Sequence, residues 1–173
     1  MKAIRQIQAA VIVIALLATL LALPPRLLAQ SWSVQVDKIE PGDVEIEPAF
    51  RIAIYENLLV ELAKTKQFKQ VFRDGDHNAS GPEVLVLKTT VQKYTPGSET
   101  RRAVTTVSGA TKINVRTQLY GREGKVVLER VVDGNVRFFG GNLRATHNLA
   151  HNVAEALKKS DLPAPTLSVR EQK

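Results

Sequence analysis

Cysteine is absent from the 173-residue chain. That excludes disulfides, thiolate metal sites and a cysteine nucleophile, and with them a lipidated cysteine behind an export signal. Aromatic residues make up only 5 % and form no stacking array, so nucleic acid is not an expected partner. No serine stands in a G-x-S-x-G elbow. Phosphate-binding glycine loops, dinucleotide fingerprints and kinase motifs are missing as well. No cofactor is expected.

Long apolar runs are also lacking, except at the start. MKAIRQIQ carries Lys2 and Arg5 as its only charges, fifteen uncharged residues follow (Ala9 to Leu23), and PPRLLAQSW comes next. A basic start, a short apolar stretch and a small residue at a plausible cleavage point describe a secretory signal peptide. Residues 1–29 are the expected signal, with cleavage after Ala29. The alternative is an uncleaved anchor, against which Pro24-Pro25 ends the run short of the ~20 residues a span needs. Export to the periplasm or envelope follows, with membrane contact only through an uncleaved segment. Cleavage removes three cations and no acid, so the net charge falls from +7 to +4. What remains is the size of one domain able to bury a core, expected over 30–160, with 161–173 as a disordered tail.

Charge is unevenly spread. Val86 to Arg144 holds eleven Lys or Arg against four acids, whereas Asp37 to Glu47 holds five acids and one lysine. A basic sheet could meet an acidic envelope protein or an anionic envelope polymer. The plainer reading is a row of cations on a solvated sheet face.

Periodicity supplies the elements. WSVQVDKIEP, with Val34, Val36 and then Ile39, reads as a first strand ending at Pro41-Gly42. Glu47-Pro48 opens a helix of about 16 to 18 residues. Its wide apolar face combines Ile52, Tyr55, Leu59 and Leu62 with Phe50, Ile54 and Leu58, so it should lie on a sheet. Phe68 to Phe72 reads as a short strand and Glu83 to Tyr94 as a longer one. KINVRTQLY alternates cleanly, with Ile113, Val115, Thr117 and Leu119 facing one way and Lys112, Asn114, Arg116 and Gln118 the other. GREG is a hairpin turn and KVVLERVV returns. Asp133-Gly134 is either a second hairpin or a bulge or kink within one long strand, and the second is favoured. A last helix follows Asn142, a plausible cap, with Leu149, Val153 and Leu157 as its stripe. The fold class is α+β: a mainly antiparallel sheet of five to six strands with two helices packed on one face, in the order β-α-β-β-β-β-α.

Candidate sites are few. In YTPGSETRRAVTTVSGA, the period-2 pattern makes most of the stretch strand, with a turn at Pro96-Gly97 and a bulge at Ser108-Gly109. Arg101 and Arg102 become hairpin-shoulder residues that could grip an anion or partner, together with Lys93, Lys112 and Arg116. His147 and His151 stand four apart on the last helix, the spacing of a zinc helix, with Glu155 as a conceivable third ligand. Asn148 occupies the place of the general base, and a solvated polar stripe explains the pair equally. His77 lies near Asp74 and Asp76 in a polar loop. The expected function is therefore a non-enzymatic binding or scaffolding domain of the cell envelope. The alternatives are a periplasmic hydrolase using His147 or His77, a metal-binding protein using His147 and His151, and a structural subunit that oligomerises through a strand edge.

The order and spacing of YENLLVELAKTKQF running into KQVF, EVLVLKTTVQKYTPGSETRRAV, TKINVRTQLYGREGKVV and the helix after FFGG resemble an uncharacterised bacterial family of exported, often lipid-anchored proteins, domain of unknown function 4410. The resemblance spans roughly residues 33–158. It implies an envelope location. That family has no agreed activity, so no catalytic residue carries over. This chain departs from it in lacking the lipobox cysteine and in having AVTTVSGA where members are richer in glycine.

Overall fold

The computed structural model describes residues 32–98, 110–136, 143–163 and 165, all within the compact unit Ser31–Lys173. Strands β1 (Ser33–Val36), β2 (Val71–Arg73), β3 (Val84–Thr95), β4 (Thr111–Tyr120) and β5 (Val126–Val136) combine with helices α1 (Pro48–Thr65) and α2 (Arg144–Lys158). The order is β1-α1-β2-β3-β4-β5-α2, and the five strands form one sheet in the order β2-β1-β3-β4-β5.

The sheet is mixed. Short β1 runs parallel to both β2 and β3, and the long β3, β4 and β5 pair antiparallel. The parallel pair β1-β2 requires a crossover, and α1 is its helix. Past β1 the chain stays beside β3: Glu40 bridges to Thr90, and Val91 donates its N–H to the Glu40 carbonyl at 2.8 Å. Gly42, at φ +59°, lies so close that a Cβ there would stand 2.5 Å from the Val91 carbonyl oxygen.

Both helices seal one face of the sheet. From β3 and β4 the core takes Leu85, Leu87, Val91, Ile113, Val115 and Leu119, the alternate positions expected of a half-covered sheet. From α1 it takes Phe50, Ile54, Leu58 and Leu62. The apolar face of α1 is centred on this every-fourth row rather than on Ile52, which is 62 % exposed. α2 buries Leu149, Val153 and Leu157 as its spacing demands, with Ala145 and Ala150 allowing close approach.

Asp133-Gly134 lies within one long strand, as favoured, but without a bulge. The ladder runs evenly through it, Asn114 opposite Asp133 and Ile113 opposite Gly134. The glycine serves packing: a Cβ at Gly134 would lie 2.4 Å from Leu149 Cβ and 2.8 Å from both the Leu149 Cα and the Ala145 carbonyl oxygen. The register shifts fall elsewhere, between Val91 and Lys93 on β3 and between Leu119 and Tyr120 on β4. The turn of Gly121 to Gly124 closes the β4–β5 hairpin as expected, with Gly121 N–H donating to the Lys125 carbonyl at 2.9 Å. The bulge expected at Ser108-Gly109 and the cap at Asn142 lie outside the described residues. The first residues of the expected tail are seated: Leu162 packs on the core, and Trp32 Nε1 donates to the Pro163 carbonyl at 2.6 Å. Among the described residues no helix is long and apolar enough to cross a membrane.

Candidate functional site

Because the helices cover one face of the sheet, the alternate residues of β3, β4 and β5 form an open face on the other side. Register determines which side chains are neighbours there. Lys88 stands opposite Gln118, Thr90 opposite Arg116, Lys93 opposite Asn114 and Thr95 opposite Lys112. Each of four successive rungs therefore holds one cation, alternating between β3 and β4. Rungs on one face recur roughly every 7 Å along the strands, so Lys88, Arg116, Lys93 and Lys112 make a zigzag row. All four are exposed. The bulge at Gln92 brings Lys93 onto this row, since an uninterrupted alternation would turn it toward the core.

Acids on the same face are partly occupied. Glu129 accepts from Gln118 Nε2 at 2.5 Å and lies 3.6 Å from Arg116 Nε. Asp133 accepts from Asn114 Nδ2 at 2.9 Å. The Gln92 amide, oriented to satisfy its neighbours, donates to Asn114 Oδ1 at 3.1 Å and accepts from Arg116 at 3.2 and 3.3 Å. Lys88 sits over the Tyr120 ring at 5.3 Å, a cation–π contact that leaves its charge available. A polar cleft of about 350 Å³, lined by Gly42, Asp43, Thr90, Gln92, Arg116 and Gln118 among others, opens beside the row. The structure thus brings Lys112 and Arg116 together with Lys93 on one surface and adds Lys88. Arg101 and Arg102 lie outside the described residues.

The outer edge of β5 is only partly free. Asn152 Nδ2 donates to the Asp133 carbonyl at 2.7 Å and Asn148 Nδ2 to the Asn135 carbonyl at 2.8 Å. In an antiparallel ladder alternate residues direct their backbone groups outward, so α2 caps the carbonyls at the C-terminal end of this edge. Arg130 Nη1 holds the Glu129 carbonyl at 2.8 Å. Side chains in these positions blunt an edge that would otherwise template further pairing.

His147 and His151 stay solvated, their side chains 53 % and 57 % exposed, as a polar stripe requires. They face α1 and straddle Glu61, which is only 6 % exposed. His151 Nδ1 lies 3.2 Å from Oε2, His147 Nδ1 lies 3.9 Å from Oε1, and Lys64 Nζ donates to Oε1 at 2.6 Å. The Lys64 hydrogen bond, with His151 aiding and burial opposing, holds the Glu61 carboxyl below its ordinary value. Asn57 Nδ2 donates to Thr146 Oγ1 at 3.0 Å one turn away. The arrangement is an interhelical polar seam. Glu155 is not part of it and pairs with Lys158 at 3.6 Å and Lys159 at 4.0 Å. Among the described residues no group of three or more His, Asp or Glu is placed to hold a metal ion. In the His77 loop, Asp76 Oδ1 accepts from the Asn78 N–H at 2.9 Å, and the His77 carbonyl accepts from Ser80 Oγ at 3.0 Å. These are turn-forming bonds.

Glu61 escaped the reading of α1, although its position carried a signal. It falls seven residues after Ile54, on the same helix face, with Lys64 one turn on. Glu61→Gln is expected to lower stability at pH 7 by roughly 1.5–3 kcal/mol, the scale of a hydrogen bond to a charged group. A carboxyl whose folded value is depressed stabilises above its unfolded value, here 4.5, and that contribution is lost as pH falls through the folded value. The gap between the chain and the variant, read as a urea midpoint, should therefore close on acidification below about pH 4.5.

No family model matches the chain, so the resemblance to domain of unknown function 4410 is not confirmed, and no curated protein matches it. Solved structures share its fold. A PelC dodecamer from Paraburkholderia phytofirmans is similar at TM-score 0.57 and 15 % identity, covering 78 % of this chain and 92 % of that one. The hypothetical protein CT253 from Chlamydia trachomatis is similar at TM-score 0.51 and 12 % identity, covering 74 % and 96 %. At these identities the likeness shows the fold.

Proposed function

We propose that the chain is an exported, non-enzymatic binding and scaffolding domain of the cell envelope, and that the open sheet face is its binding surface for an anionic partner. The observation that carries this reading is the zigzag of Lys88, Arg116, Lys93 and Lys112 on the one face of the sheet that no helix covers. The apolar run at residues 9–23 supports export. A row of cations at regular spacing suits an extended polyanion, such as an anionic envelope polymer, better than a compact anion. The polar cleft beside Arg116 offers amide and hydroxyl groups that would fix orientation.

Lys112→Glu combined with Arg116→Glu tests the surface without touching the core, because both side chains are exposed. The double variant should move from the envelope fraction to the soluble fraction at physiological salt. Unchanged fractionation would contradict the assignment.

A second reading, assembly with further copies of the same chain, is favoured by the PelC dodecamer that shares the fold. The β5 edge leaves the stretch around Val127 and Val131 for such a contact, and both valines are exposed, at 41 % and 57 %. Sedimentation of the exported chain decides this: a single monomeric species at tens of micromolar removes the assembly reading and leaves the binding face intact.

A further inference from the structure

A second candidate site lies in the helix layer and does not rest on the open-face reading. A groove of about 330 Å³ runs along the first turns of α1, lined by Ile39, Pro48, Ile52 and Tyr55 together with Lys38, Arg51 and Glu56. Its volume falls in the range of small-molecule sites, and its lining is the usual mixture of apolar walls with a few charged groups.

Three observations say what would fit. First, Arg51 is half-buried, and its Nε is fully buried with no hydrogen-bond partner. The Nε is out of a ligand's reach, so contact with an occupant falls to the rest of the guanidinium, Arg51 being one of the groove's lining residues. Second, the acid in the groove is already neutralised. Glu56 accepts from Arg73 Nη1 at 2.7 Å and Nη2 at 2.6 Å, a bidentate pair, so it does not compete for Arg51. Lys38 at the rim is 3.5 Å from Asp74 and its side chain is 85 % exposed. The charge left over in the groove is positive. Third, the wall is fixed: the Tyr55 hydroxyl accepts from the Asp74 N–H at 2.9 Å, and the Arg73 guanidinium lies 5.8 Å over the Tyr55 ring. Ile52 contributes an apolar surface that is 62 % exposed and covered by nothing among the described residues.

We infer that this groove binds an alkyl carboxylate, its hydrocarbon lying on Ile39, Pro48, Ile52 and Tyr55 and its carboxylate accepting from the Arg51 guanidinium. Charge complementarity selects this occupant over a neutral amphiphile, and the apolar walls select it over a small hydrophilic anion. Arg51 also stands in the first turn of α1, whose positive end adds a favourable field for the head group.

The experiment uses the exported chain with three probes, decanoate, decanol and acetate, read by calorimetry and by thermal shift. Decanoate is expected to bind saturably and raise the melting temperature, with decanol weaker and acetate without effect. Arg51→Leu keeps the apolar volume and removes the charge, and should weaken decanoate by roughly tenfold or more. Ile52→Asp, at an exposed position where folding is not at risk, should also weaken it. Equal affinity for decanol, equal affinity in Arg51→Leu, or no saturable decanoate binding would each overturn the assignment. None of these outcomes bears on the open sheet face.

Discussion

Replacing Gly134 with valine is expected to destabilise the domain by about 3 kcal/mol or more, the upper range of overpacking at a site that cannot yield. The reason is what the new atoms would meet. Leu149 Cβ would stand 2.4 Å from the added Cβ, and the Leu149 Cα and Ala145 carbonyl oxygen 2.8 Å. Two of these three are backbone atoms of α2, so no side chain can rotate away to make room. The helix must lift from β5, which would take Asn148 and Asn152 off the Asn135 and Asp133 carbonyls. Alanine should show most of the effect, since the first added carbon already collides. Gly124→Ala is the contrast. Gly124 has φ +71° but nothing within 4 Å of its Cβ position, so its cost is that of a left-handed residue alone, about 1 kcal/mol. Urea unfolding of the variants separates the two mechanisms, and a Gly134→Val domain as stable as the parent would contradict the packing described.

The second large effect concerns binding. Reversing all four cations of the zigzag, Lys88→Glu, Lys93→Glu, Lys112→Glu and Arg116→Glu, should abolish retention on an anionic polymer at physiological salt. Each reversal replaces an attraction by a repulsion, and on one rung after another these add along a linear ligand. The parent chain should elute progressively as salt rises, because exposed charges are screened over about 8 Å at physiological ionic strength. Stability should fall modestly, since Arg116→Glu exchanges the 3.6 Å pair with Glu129 for two neighbouring acids and Lys88→Glu loses the Tyr120 ring contact.

Much of the fold was legible because single residues carried unambiguous periods. In KINVRTQLY the alternation of Ile113, Val115, Thr117 and Leu119 with polar residues fixed the strand and its buried side, and the burial of all four confirms it. Glu47-Pro48 located the start of α1 for a local reason, the tolerance of proline in a first turn. Less local properties were hidden. That β1 pairs parallel to both β2 and β3 depends on where α1 carries the chain, which no short-range pattern reports. Gly134 announced a turn by its Asp-Gly dipeptide, but its role is set by a helix that follows some ten residues later.

The candidate site divides in the same way. Lys112 and Arg116 could be assigned to one face by period alone. Lys93 was grouped with them, although it reaches the face only because Gln92 is bulged, and Lys88 could not be joined to them without the register. His147 and His151 were visible as a pair, while Glu61 between them belongs to another helix. Arg51 gave no sign in the sequence, because its lack of a partner is a property of the packed groove.

The most direct test of the open face as the binding surface is lysine acetylation of the protein, footprinted by mass spectrometry with and without isolated envelope. Lys88, Lys93 and Lys112 should be protected by the envelope, while Lys66, Lys69, Lys158 and Lys159, which are also exposed, should react as before. Unprotected sheet lysines, or protection spread evenly over both sets, would contradict the account.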